Sequence, residues 1–238
     1  MCRLLAVVTV LALIKADKVP FITRCKSDDD NCLKKSTSEA LPVLASGLPD
    51  YGVNSLDPVI FTRIDASTPV LSFLIDDVIV KGFKKCIPLT THRDSKKSKI
   101  SIKVLCDGGK MDGRYMITGQ VLFVPIEGNG KMHVDLNNGE LEVNMFVSNV
   151  QGEDGKNHWN IKNWTYTYDL KGKSNVYFEN LFNKESFLGQ TAQEMVASNG
   201  NAIIHDIGKP IITAIVTEIV QNVQRFFNAV PSEDLSLD

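Results

Sequence analysis

The sequence predicts an α+β fold: a long, highly curved antiparallel β-sheet wrapped around a long, buried C-terminal α-helix. Two observations lead there. From about residue 58 to 178, apolar and polar residues alternate, as in Ile100, Ile102 and Val104 against Ser101 and Lys103. Period two with one polar face marks half-buried antiparallel strands. Further on, Ile204, Ile207, Ile211, Ile215, Ile219, Val223 and Phe226 recur at helical spacing, and Ile203, Ile212, Val216, Val220 and Phe227 widen that stripe beyond half the helix. A helix so apolar must be buried on most sides, and the sheet is the large partner available. Strand twist curls long sheets, so a sheet wrapped around the helix is the economical arrangement. A flat sheet with helices on one face is the alternative.

The elements follow in three zones. Acidic residues lead into Leu33, Ala40, Leu41 and Leu44, and Gly47 follows, which predicts a helix over about residues 30–47. Pro42 predicts a bend or a division into two short helices, because an interior proline costs about 3 kcal/mol. In the middle zone, Met132, Val134 and Leu136 alternate, as do Leu141, Val143, Met145 and Val147; Trp159 and Ile161 lead into Trp164, Tyr166 and Tyr168. Asp107-Gly108-Gly109, Gly128-Asn129-Gly130, Asn137-Asn138-Gly139, Asp154-Gly155 and Lys171-Gly172 read as hairpin turns between these strands, giving one long meander. In the last zone, Phe182, Phe187, Leu188, Met195 and Val196 predict a helix ending near Asn199-Gly200, and Pro210 predicts a kink near the start of the long helix.

Residues 1–16 have the pattern of a secretory signal peptide: a basic start at Arg3, an apolar run from Leu4 to Ile14, and Ala16 before Asp17-Lys18. That run is too short for a membrane span, which needs about 20 residues. Residues 17–238 then form one domain, since no Pro/Gly/Ser-rich linker divides them. Losing Arg3 and Lys15 takes the formal charge from −2 to −4, which argues against a nucleic-acid partner. Lys81, Lys84, Lys85, Lys96, Lys97, Lys99 and Lys103 form the densest positive stretch. Contact with an anionic membrane is open there but not expected; a solvated hairpin surface is. A monomer is expected.

Cleavage removes Cys2 and leaves Cys25, Cys32, Cys86 and Cys106, an even number suited to an oxidising compartment. The sequence does not choose among three pairings. Proximity favours Cys25 with Cys32, and Cys86 and Cys106 flank a hairpin whose strands would place them opposite each other; two buried free thiols are the other reading. Asn163-Trp164-Thr165 is an acceptor sequence for N-glycosylation, set in a strand-like pattern.

No catalytic constellation is legible. The chain lacks a G-x-S-x-G elbow and an H-E-x-x-H helix, and its four histidines are scattered. Gly128-x-Gly130 is not followed by a helix. Asp28-Asp29-Asp30 lacks the alternating oxygens and closing Glu of a calcium loop. No enzymatic activity, metal or cofactor is expected.

The early Cys25 and Cys32, Ile79-Val80-Lys81-Gly82-Phe83, Gly113-Arg114-Tyr115 through Pro125-Ile126-Glu127-Gly128-Asn129-Gly130, and above all Val176-Tyr177-Phe178-Glu179-Asn180-Leu181-Phe182-Asn183 resemble the insect takeout and juvenile hormone-binding protein family. The resemblance runs over essentially the whole mature chain. It implies the tubular lipid-binding fold, an elongated domain whose internal apolar cavity carries a small hydrophobic ligand, a terpenoid, fatty acid-like molecule or other lipid, through haemolymph or another extracellular fluid. The hormone-binding branch has its second cysteine pair in the later half of the chain, whereas this chain has Cys86 and Cys106. That separates the carrier role from juvenile hormone itself.

The candidate cavity wall is Leu41, Leu44, Phe61, Phe73, Met145, Trp164, Tyr168, Phe182, Ile211, Ile215, Ile219 and Val223, with a tyrosine hydroxyl as a polar anchor. For each of them, ordinary core packing is the competing reading. Two other functions compete with the carrier: a secreted interaction protein with a filled core, and a lipid binder that works at the membrane surface.

Overall fold

A computed structural model describes residues 19–122, 124–181 and 194–238. Helix α1 (Asp30–Ser46) opens with Asp29, whose carboxylate accepts the Cys32 amide at 3.0 Å, meeting one of the donors a helix start leaves unpaired. It is one continuous helix, in place of the expected bend or division. Pro42 and Ser38 both lie on the exposed face, so the Ser38 carbonyl that proline deprives of its helical partner can bond to water.

Among the described residues, nine strands form two sheets. In the first, β1 (Val59–Asp65), β2 (Leu71–Lys81), β5 (Gly109–Val121), β6 (Val124–Leu136) and β9 (Asn175–Phe178) are adjacent in that order. In the second the order is β3 (Ile87–Asp94), β4 (Lys99–Cys106), β7 (Gly139–Gln151) and β8 (Asn157–Leu170). Every pairing between these strands is antiparallel. The expected single meander survives in a different form. β2 runs on into β3, β4 into β5, β6 into β7 and β8 into β9, so four long ribbons pair in sequence order and each breaks at the same level.

That seam corrects the reading of the glycine clusters. Asp107-Gly108, Asn137-Asn138 and Lys171-Gly172 are corners within ribbons, where the chain passes from one sheet to the other, not hairpin turns. They are tied to one another: the Asn138 amide donates to the Asp107 carboxylate at 3.1 Å, and the Lys171 amide to the Asn138 carbonyl at 3.0 Å. Asp154-Gly155 does lie in a hairpin, between β7 and β8. Gly128-Asn129-Gly130 lies inside β6. A Cβ on Gly128 would come within 2.8 Å of the Asn180 carbonyl oxygen, so the glycine lets residues 179–181 lie against the strand. Tyr115 fixes the same segment by donating to the Glu179 carbonyl at 2.6 Å.

Two bulges keep apolar side chains on the inner face. In β8, Ile161 pairs with Val147 and Asn163 with Phe146, leaving Lys162 as the extra residue. Inward parity therefore switches between Ile161 and Trp164. In β2, the register shifts between Asp76 and Ile79; Leu71, Phe73 and Ile75 are buried before it and Val78 and Val80 after it.

Residues 194–198 are helical, and α2 (Gly200–Ile207) and α3 (Lys209–Ala229) follow. Pro210 sits in the first turn of α3, where a missing amide hydrogen costs nothing; the expected kink is a junction between two helices at Gly208. The sheets wrap α3. Its first half, at Ile211 and Ile215, packs into the core of the first sheet, and its second half, at Val220, Phe226 and Phe227, into that of the second. Among the described residues no helix is long and apolar enough to cross a membrane.

Disulfides join Cys25 to Cys32 and Cys86 to Cys106, with Cα separations of 5.7 and 4.2 Å. Cys86 and Cys106 face each other one step beyond the Ile87–Leu105 pair, at the seam.

His158 ties the far end of α3 to the second sheet. It is 5 % exposed, with Nδ1 3.0 Å from the Phe227 carbonyl and Nε2 3.1 Å from the Asp154 carboxylate. Burial alone would lower its pKa, but the two acceptors outweigh that and hold it above the ordinary histidine value. The last carbonyls of a helix favour a cation there. Because the folded pKa is raised, this stabilisation is complete below the unfolded pKa of about 6.5 and fades as pH rises through the folded value. Replacement by Gln is expected to cost about 1–2 kcal/mol near pH 6 and less at higher pH, measured as the urea midpoint of both proteins across pH. His133, also held above its ordinary value, first by its bond to Asp112, is common to both and cancels. A pH-independent difference would show that His158 acts there as a neutral ring.

Candidate functional site: apolar pockets along the central helix

The helix α3 lines a pocket on each side of the seam. The first, of about 160 Å³, lies against Phe73, Met132, Val134, Tyr168, Ile211 and Ile215. The second, of about 240 Å³, lies between α1, the inner face of β3, β4 and β7, and the second half of α3. Its wall includes Leu41, Leu44, Met145, Trp159, Ile219 and Val223. Strand alternation and the helical stripe together put apolar atoms on nearly all of this surface. Phe83, Leu141 and the disulfide-bonded Cys86 and Cys106 border both pockets and so form the partition between them.

The residues expected from the sequence divide accordingly. Phe73, Tyr168, Ile211 and Ile215 line the first pocket; Leu41, Leu44, Met145, Ile219 and Val223 line the second. Phe61 is half-buried against the first sheet's core and Trp164 against the second's, and neither borders either of these two pockets. Phe182 lies outside the described residues. The Tyr168 ring stacks on His205, with centroids 5.3 Å apart, and burial raises its phenol above the ordinary tyrosine value. Asn163 is exposed in β8, and its side-chain oxygen accepts the Trp164 amide at 2.8 Å.

Sequence reasoning missed the partition. Phe83 sits in a single 3-10 turn, Phe83–Lys85, where no periodicity marks a side chain as inward. It also missed a polar corner of the second pocket. Thr91 and Arg93 are 5 % and 9 % exposed, and the hidden signal was their shared parity on β3. Arg93 donates to the Asp238 carbonyl at 3.1 Å and to its side-chain carboxylate, and its guanidinium carbon lies 5.4 Å from the Trp159 ring centroid. Burial lowers its pKa from the usual arginine value, although a guanidinium stays charged.

The chain matches the sequence description of a family, haemolymph juvenile hormone binding protein, over residues 4–237. It is similar to the circadian clock-controlled protein daywake of Drosophila melanogaster, with 21% identity over 230 residues, covering 90% of this chain and 86% of that protein. It is also similar to a putative beta-carotene-binding protein of Schistocerca gregaria, with 24% identity over 149 residues, covering 59% of this chain and 60% of that one. Among solved structures, Epiphyas postvittana Takeout 1 superposes with a TM-score of 0.84 at 26% identity, covering 90% of this chain and 99% of the other.

Proposed function

The chain belongs to the haemolymph juvenile hormone binding protein family, whose members bind small hydrophobic ligands, and on that premise we propose that it is a secreted, non-catalytic carrier of an elongated apolar ligand held along α3. The observation that carries this reading is the pair of apolar pockets lined by one helix and separated by four residues. Either pocket alone is smaller than the roughly 300 Å³ at which small-molecule sites begin, and the two in line reach it. The ligand therefore spans both and passes Phe83 and Leu141. Burying about 400 Å² of apolar surface at ~25 cal/mol/Å² gives roughly 10 kcal/mol, of which association consumes about 4 or more. Micromolar or tighter binding needs no further chemistry.

The test is native mass spectrometry of the chain secreted from insect cells, followed by solvent extraction of whatever is bound. The expected mass lacks residues 1–16 and carries a glycan at Asn163, and denaturation is expected to release a discrete apolar molecule. A bare protein that also fails to bind terpenoids and fatty acids would transfer the assignment to an interaction protein with a filled core. Leu141→Trp narrows the partition. It is expected to weaken a long-chain ligand about tenfold or more, equivalent to ~1.4 kcal/mol of overpacking, while sparing a short one that fits a single pocket. Equal weakening of both would place the whole ligand on one side.

A further inference from the structure

We propose that the second pocket is the head-group end of the binding site, and that Thr91 and Arg93 receive there the carboxylate of a long-chain acid. This rests on the carrier reading and adds the polarity and direction of the ligand.

The inner face of β3 is where the chain departs from its own pattern. The neighbouring β4 turns Ile100, Ile102 and Val104 to the same pocket, while β3 turns Thr91 and Arg93 to it. Both are more than nine-tenths buried. The Thr91 hydroxyl oxygen and the Arg93 Nε have no hydrogen-bond partner among the described residues. Burying polar groups unpaired is unfavourable, and such groups are ordinarily matched by a partner. Here the two stand two residues apart on one strand face. Thr23, Ser36 and Thr37 are the other polar side chains described in this wall, on the α1 side, where the Ser36 hydroxyl already accepts the Thr23 amide at 3.0 Å, and the rest is apolar.

The chemistry of the pair selects its partner. The Arg93 Nε–H can only donate, and the Thr91 hydroxyl can donate beside it, so an acceptor-only group satisfies both. Charge selects further. Among the described residues lining this pocket, Arg93 is the one that carries a charge. Its companion Asp238 has a side chain 43% exposed, against 10% for Arg93, so solvent screens the carboxylate more than the guanidinium. The bonds to Asp238 and the ring of Trp159 hold the guanidinium in place before any ligand arrives, so little ordering is required on binding. An acid entering carboxylate-last would lay its chain past Phe83 and Leu141 into the first pocket, whose wall at Phe73, Ile211 and Ile215 offers it apolar surface.

The experiment compares palmitate, methyl palmitate and hexadecane on the delipidated full chain, for wild type, Thr91→Val and Arg93→Gln, by displacement of a fluorescent lipid at pH 7.5. Palmitate is expected to bind about tenfold more tightly than the ester, since charge-assisted hydrogen bonds are about twice as strong as neutral ones. Thr91→Val is expected to remove most of that preference and leave hexadecane unchanged; it keeps Arg93 and its contacts, so the test stands even where Arg93→Gln fails to fold. Carboxyl-labelled palmitate followed by carbon NMR is expected to stay ionised to lower pH in the wild type than in either variant. If the acid and the hydrocarbon bind alike, or if Thr91→Val leaves the preference intact, the head-group assignment is overturned and the carrier reading stands. Failure of all three ligands to displace the fluorescent lipid overturns the head-group assignment, and failure of the fluorescent lipid itself to bind overturns the carrier reading as well.

Discussion

Replacing Phe73 by alanine is expected to lower the stability of the domain by about 3–5 kcal/mol. The ring is fully buried, meets Phe178 edge-on with centroids 6.0 Å apart, and lines the first pocket. Its removal deletes the transfer free energy of a large apolar side chain and joins the space left behind to a pocket already present, which the surrounding strands cannot close. The strand itself should survive, because the Phe73 amide and carbonyl keep their bonds to Ser67 and Ala66. Urea denaturation should show a shifted midpoint with an unchanged slope. A bulky apolar ligand that fills the enlarged pocket should recover part of the loss by binding only the folded state. A loss below about 1 kcal/mol would mean that the pocket collapses around the missing ring.

Removing the Cys86–Cys106 disulfide by the double substitution Cys86→Ala and Cys106→Ala is expected to cost about 3 kcal/mol. The bridge closes a separation of 20 residues, and the chain-entropy relation gives that magnitude for such a loop. The expected readout is again the urea midpoint, with the wild type under reducing conditions falling at least as far, since Cys25–Cys32 opens as well. The same change loosens the partition, so acceptance of thicker ligands should rise as stability falls. An unchanged midpoint would show that the β3–β4 hairpin already constrains the unfolded chain as strongly as the bridge does.

What the sequence made legible follows from periodicity. Ile100 to Val104, Met132 to Leu136 and Leu141 to Val147 are strands as expected, because alternation and burial on one face are the same fact. The stripe from Ile211 to Val223 told of a buried helix for a similar reason. The turn chemistry was misleading where glycine serves another purpose: Gly108 and Gly172 bend ribbons, and Gly128 makes room for the backbone at Asn180. The turn that joins β5 to β6 carries no glycine; Val121 pairs with Val124, and Leu122 takes the left-handed conformation at φ 48°. Of the site, the apolar wall could be read but the partition and the polar corner could not. Phe83 lies in a turn without period, and Thr91 and Arg93 are types that sequence reasoning assigns to solvent.

The seam makes the molecule modular in length. Because every ribbon breaks at one level, each half of the tube ends in its own hairpins, at residues 95–98 and 152–156 on one side and beside Leu122 on the other. Two residues added to each strand at one end preserve the inward parity and extend that half by about 7 Å, while the corners and the opposite half keep their register. A scaffold built this way can be retailored to longer or shorter cargo from either end, with the junction around Cys86 and Cys106 left as the fixed reference.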